Sequence, residues 1–134
     1  DKVFDFPIDS ARVADVVAPS KEFAQNVLHW RWMTNYAAKN GKVKAAPSPY
    51  GFNGTYDFYT EMNEEVYSAE SPDAINPVGE GAYTIFRYAD NNISAGVAYD
   101  GDYKVVTLGF PIETIKCEDA QLEIIKEVCN FFEK

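Results

Sequence analysis

No stretch of the 134-residue chain approaches the ~20 consecutive apolar positions that a bilayer-spanning helix needs, so membrane insertion is not expected. There is no run of Lys or Arg either. Twelve basic side chains stand against 21 acidic ones, leaving a net charge of −9. A chain this acidic repels phosphate backbones and anionic headgroups, which argues against nucleic-acid and membrane-surface binding. Histidine occurs once, at His29, and cysteine twice, at Cys117 and Cys129. No CxxC or Cys/His grouping supports a metal site. No GxGxxG or Walker-type loop supplies a phosphate cradle, so no nucleotide or flavin cofactor is expected. A signal peptide is also lacking, and the chain opens on Asp1 rather than Met, which reads as a mature or excised piece of a larger precursor.

What is abundant is aromatic. Apolar residues make up 46% of the chain, and nine Tyr and nine Phe raise the aromatic share to 15%. Two readings fit: a tyrosine-rich sheet, because aromatics suit a pleated, half-buried surface, or a platform for sugar rings. The length fits a single domain, 1–134, with a real core. Cys117 and Cys129 fall at the two ends of a helical pattern, about 18 Å apart at ~1.5 Å per residue, so they read as buried thiols rather than a bridge.

Along the chain, residues 1–18 form a mixed apolar and acidic lead-in without a clear period. Pro19-Ser20 then resembles a helix start, with Ser20 as cap and Glu22 in the first turn. Phe23, Val27, Trp30 and Ala37 recur near helical spacing up to Asn40-Gly41, predicting a helix over 20–39. Lys42–Ala46 reads as a short strand, as do Tyr56–Glu61 and Glu65–Glu70, with Met62-Asn63-Glu64 as a turn between the last two. The string SPDAINPVGEG reads as a surface loop. Three runs, Ala82–Ala89, Ile93–Tyr99 and Tyr103–Phe110, are separated by Asp90-Asn91-Asn92 and Asp100-Gly101-Asp102, which predicts a meander joined by tight turns. Its third run is apolar on both faces and is expected to be central. A final helix, Glu118 to Phe132, carries a stripe of Leu122, Ile125, Cys129 and Phe132, widened by Ile124, Val128 and Phe131. The fold class expected is α/β, or α+β if an N-terminal half is absent. It is a mixed sheet whose C-terminal antiparallel meander packs against an N-terminal and a C-terminal helix.

The stretches VLHWRWMTNYAAKNGKV, YDFYTEMNEEVYSAESPDAINP and SAGVAYDGDYKVVTLGFPIETI are similar to secreted Bacteroidetes proteins that carry the name xanthan lyase. From about residue 79, the ending with Gly109-Phe110-Pro111-Ile112-Glu113 resembles that of class I glutamine amidotransferase-like, flavodoxin-like domains. The resemblance covers about residues 20–134 and implies the C-terminal portion of a secreted or cell-surface, polysaccharide-associated protein. Its partners would be other domains of the same precursor and carbohydrate. It departs from amidotransferases in having no parallel βαβ opening before residue 20. No Cys sits in a strand-to-helix elbow, and Phe110-Pro111-Ile112-Glu113 stands where those enzymes have His-Pro-Glu. Glutamine hydrolysis is therefore not expected.

Polysaccharide β-elimination needs a base beside a uronate and a group to neutralise its carboxylate. The candidate catalytic residues are Glu113, placed after a strand end and a Pro, and His29, beside Trp30. Each has a structural alternative: Glu113 as an acceptor for backbone N–H groups of its turn, His29 as a packed helical side chain. Asp73, Arg87 and Tyr88 are candidate binding residues, although strand alternation puts the last two on opposite faces. The Asp100-Gly101-Asp102 and Asp90-Asn91-Asn92 separators offer oxygen ligands of the kind calcium prefers, but lack EF-hand spacing and read as turns. Asn53-Gly54-Thr55 and Asn92-Ile93-Ser94 match the glycosylation pattern. The reading is a non-catalytic accessory or interaction domain; the alternative is a contribution to a lyase or hydrolase site. An edge strand left by a missing half offers a route to self-association.

Overall fold

The computed structural model describes residues 14–134, so most of the lead-in segment lies outside the described residues. Helix α1 (Ala14–Asn26) is followed by strands β1 (Trp30–Thr34), β2 (Lys42–Ala45), β3 (Thr55–Asp57), β4 (Ala74–Pro77), β5 (Ala82–Tyr88), β6 (Ser94–Asp100) and β7 (Lys104–Leu108). A single 3₁₀ turn at Ile112–Thr114 leads to helix α2 (Glu118–Glu133). Five strands form one sheet in the order β3-β2-β5-β6-β7, and β1 pairs with β4 in a separate ribbon. Every strand pairing among the described residues is antiparallel, unlike the parallel sheet of a flavodoxin-like domain. The expected meander is present as β5-β6-β7, packed against α2.

The helix predicted over 20–39 is replaced by two elements. α1 starts six residues before Ser20 and contains Pro19, and its end is closed by bonds from the Val27 and Leu28 N–H groups to Phe23 O. His29 then takes a positive φ of 59°, which stops any helix. Beyond it Trp-Arg-Trp-Met-Thr alternates buried and exposed positions, the period of a strand. That alternation was hidden by Phe23, Val27 and Trp30, which happen to fall at helical intervals. The ribbon also corrects the expected surface loop after Ser71, since Ala74–Pro77 is a strand whose Ala74 and Ile75 are buried. Glu65–Glu70 forms no strand. The turn at Asn63 is real: its side-chain Oδ1 accepts the N–H groups of Glu65 (2.9 Å) and Val66 (3.0 Å).

β7 is an edge strand, not a central one. The strand buried on both sides is β6, whose Ser94, Ala95, Gly96, Val97 and Ala98 are small enough for layers to approach from both faces. The bulges in β5 on either side of Phe86 break alternation, so that Ile85 and Phe86 are both fully buried. The larger core joins the sheet to α2 through Phe52, Phe58, Phe86, Tyr88, Phe110 and Phe131. A smaller one, Ala24, Trp30, Ile75 and Val97, lies beneath the ribbon and α1. On α2 the buried side is Ile124 and Phe131 with half-buried Val128, so the stripe of Leu122, Ile125, Cys129 and Phe132 faces outward. Both thiols are free and exposed rather than buried. Lys104 Nζ donates to the carbonyls of Phe131 (2.9 Å) and Lys134 (2.6 Å), placing a cation at the negative end of α2.

Candidate binding cleft

The Gly-Phe-Pro-Ile-Glu segment after β7 organises a region where two candidate residues, Asp73 and Glu113, meet. Gly109 lets two backbones touch: a Cβ there would lie 2.1 Å from Asp73 O, and Asp73 N donates to Gly109 O at 2.8 Å. Phe110 turns inward and stacks on Phe58, with ring centroids 5.9 Å apart and planes within 11°. The buried Thr114 closes the 3₁₀ turn by donating its hydroxyl to Pro111 O at 2.7 Å. The chain then binds residues 57–59: Tyr59 N donates to Thr114 O and Lys116 N to Asp57 O, each at 2.8 Å. Tyr59 O accepts Ala69 N at 2.8 Å, which carries the 67–71 loop up beside Glu113.

Between these segments lies an open cleft of about 420 Å³, walled by Tyr67–Asp73 on one side and Leu108–Pro111 with Glu113 on the other. That volume falls in the range of small-molecule sites. Its polar side chains among the described residues are those of Glu70, Asp73, Glu113, Tyr67, Ser68 and Ser71, and no described basic residue lines it. Tyr67 OH donates to Glu113 Oε1 at 2.5 Å. That bond, followed by burial and the Glu113 charge, pushes the Tyr67 phenol up to about 12. Ser68 Oγ donates to Glu70 Oε1 at 3.1 Å. Trp32 Nε1 donates to Asp73 Oδ1 at 3.3 Å, and Tyr36 N to Ser71 Oγ at 3.2 Å. Thus β1 and the turn after it are tied to the wall formed by Tyr67–Asp73. Tyr36, with a φ of 49°, is 72% exposed, and Tyr67 is 51% exposed.

Glu113 and Asp73 therefore share one cleft, while the other candidates lie elsewhere. Glu113 accepts a phenol, not the backbone N–H groups of its own turn. Tyr88 is fully buried below the cleft and donates its hydroxyl to Asp73 O at 2.6 Å, a support for the wall. Burial, then the charges of Asp73 and Asp90, drives its phenol well above the ordinary range. Arg87 donates to Asn92 O at 3.0 Å on the turn of the meander, away from the cleft. His29 is not helical. It stacks on Tyr99 (centroids 3.6 Å apart, planes within 13°), donates from Nδ1 to Val78 O at 3.2 Å, and places Nε2 3.1 Å from Tyr103 OH. The two acidic separators connect the strands of the meander: Asn91 Oδ1 accepts Ile93 N in the first, Gly101 N donates to Tyr103 O in the second, and Asp90 Oδ2 accepts Lys39 N from a distant segment.

Sequence reasoning missed Tyr67, Ser68, Glu70, Ser71, Trp32 and Tyr36. Reading 65–70 as a strand and 30–39 as helix scattered them over unrelated faces. The available signal was the Ser-Ala-Glu-Ser-Pro-Asp composition, which marks an irregular loop. No cluster of three or more His, Cys, Asp or Glu suited to a metal ion occurs among the described residues. No described helix is long and apolar enough to cross a membrane. In comparisons with known proteins, no family model, no curated protein and no solved structure matches the chain, so its chemistry must be argued from the cleft itself.

Proposed function

We propose that this chain is a non-catalytic accessory domain of a secreted, polysaccharide-associated bacterial protein, working beside other domains of the same precursor. The observation that carries the reading is the state of the candidate acid–base groups. Glu113 is engaged by Tyr67, and the bond holds that phenol protonated up to about pH 12, the reverse of what a tyrosine base requires. Each of the other tyrosines with a resolved shift, Tyr50, Tyr56, Tyr88 and Tyr103, also moves upward, burial being the first cause in each. Among the described residues, no Lys, Arg or His lines the cleft to neutralise a uronate carboxylate. The alternative, a share in a lyase or hydrolase site, needs Glu113 and His29 to act together, yet His29 belongs to the Tyr99–Tyr103 cluster and does not line the cleft.

The test is turnover. Purified chain incubated with xanthan and other uronate polymers should produce no increase in the ultraviolet absorbance of unsaturated uronate. A steady, enzyme-dependent increase that disappears in Glu113→Gln would overturn the reading.

A further inference from the structure

We propose that β7 is a self-association edge: two copies of the chain pair β7 with β7, antiparallel about a two-fold axis at Val106, and join their five-stranded sheets into one. The ladder itself shows which backbone groups are left over. Gly109 N donates to Ala95 O at one end of the β6–β7 pairing, and Gly101 N to Tyr103 O at the other. The register between them is continuous, with Thr107 opposite Val97 and Val105 opposite Tyr99. The odd-numbered residues of β7 therefore commit their N–H and C=O groups to β6, since antiparallel bonding alternates along a strand. Lys104, Val106 and Leu108 point theirs outward, and among the described residues no partner outside the sheet reaches them. Sheets commonly guard such an edge with a bulge, a proline, a very short strand or a free charge. Here β3, the opposite edge, is three residues long and continues into the Phe58–Ile115 bridge. β7 has none of these guards. Its one charge, Lys104, is turned onto the carbonyls of Phe131 and Lys134 at the end of α2.

A second copy fits that edge because the outward residues are symmetric about Val106. With Val106 opposite Val106 of the partner subunit, Lys104 lies opposite the partner's Leu108, and every outward N–H and C=O on both strands finds a complement. On the face away from α2, Val105 meets the partner's Thr107, a β-branched pair of the kind that supports antiparallel sheets. Charge is compatible with the seam: each chain carries −9, yet no carboxylate lies within β7. The helix contributes as well. Glu127 Oε1 accepts Asn53 N and Lys134 Nζ donates to Tyr50 O, so that flank of α2 holds the segment between β2 and β3. Ile125 and Phe132 each precede one of those two residues by two positions, about 160° round the helix, and are exposed on the flank toward β7. Continuing the sheet through β7 therefore brings apolar side chains toward the partner.

The experiment is sedimentation velocity on the full chain over a concentration series, paired with amide hydrogen exchange read by NMR. A dimer with a dissociation constant on the order of 100 µM is expected, as for a small, transient interface. Added salt should tighten it, because it screens the repulsion between two acidic chains. The amides of Lys104, Val106 and Leu108 should exchange fast in dilute monomer and slow down as the dimer forms, while those of Val105 and Thr107 stay protected throughout. Val106→Pro removes an outward N–H without touching the β6 ladder and should abolish the dimer. Should proline disturb folding, Val105→Glu, which lies outside both cores, should abolish it through like charges across the seam. A monomer at millimolar concentration would overturn the proposal, as would a dimer that survives the substitution in a folded variant. So would a dimer that leaves the three outward amides fast, or their protection in the monomer, which would place another segment of the same chain on the edge.

Discussion

The two layers pressed against the five-stranded sheet are held by different physics. Beneath α2 the core is broad and aromatic, and Phe52, Phe58, Phe86, Phe110 and Phe131 meet one another at centroid distances between 5.8 and 6.1 Å. Beneath the β1–β4 ribbon the buried set is only Ala24, Trp30, Ile75 and Val97. What that layer lacks in area it recovers in directed contacts: His29 clamps Val78 and Tyr103 while stacking on Tyr99, and Tyr103 OH donates to Val27 O at 2.8 Å. Non-directional burial tolerates almost any sequence of the right volume, whereas a clamp depends on a few named groups. The cleft opens where the layers meet, at the Asp73–Gly109 contact. One wall is therefore built on the rigid core and the other on the lighter ribbon.

Substitutions can break or sharpen that contrast. The largest effect is expected for Phe86→Ala in the broad core: about 4 kcal/mol lost in urea denaturation, because a fully buried ring leaves a cavity beside the rings of Phe52, Tyr56 and Phe110. A loss under 1 kcal/mol would mean the core is not where stability resides. Gly109→Ala should come next, at about 2–3 kcal/mol, since its Cβ would collide with Asp73 O and force the cleft walls apart. Its signature is a melting temperature lowered together with altered amide shifts from Ser71 to Ala74. His29→Ala should cost about 1–2 kcal/mol and raise hydrogen exchange in β1 and β4 more than in β5 or β6. Equal exchange across both sheets would show that the clamp does not set the ribbon's stability apart.

The smallest expected change has the opposite sign. Burial, opposed by the Asn53 N–H and assisted by the Glu123 charge, raises the Glu127 carboxyl above the usual carboxylate range, and its Oε2 is buried without a partner among the described residues. A carboxyl raised in the folded state adds stability while protonated and loses that contribution as pH climbs through its folded pKa. Glu127→Gln mimics the protonated form. It should raise the melting temperature by about 2 °C at pH 7 and leave it unchanged near pH 3.5. A decrease at pH 7 would show that the ionised carboxylate is the stabilising form.

The meander, the closing helix and the acidic character could be read from sequence, because each rests on composition or a local pattern. Asn and Gly in the separators, the β-forming runs of β5, β6 and β7, and carboxylates opening α2 all act within a few residues. The first helix misled because a 3.6-residue period and a two-residue period coincide over so short an aromatic stretch. Only β-pairing with Ala74–Pro77, more than forty positions away, decides in favour of the strand. Likewise the helix stripe was legible as amphipathic, but which side is buried depends on where the sheet approaches it.

Glu113 was recognisable as a carboxylate at a strand end, and Asp73 as a polar loop residue. Their meeting across one cleft was not recognisable, nor was the phenol of Tyr67 between Glu113 and solvent. Sequence by itself determined the charge, the turn positions and the set of strands after residue 82, since these follow from composition and from neighbours along the chain. Tertiary structure alone decided which strand became central, how the ribbon formed and where the cleft opened. These depend on contacts such as Asp73 with Gly109 and Tyr67 with Glu113, between residues that are distant along the chain and brought together only by packing.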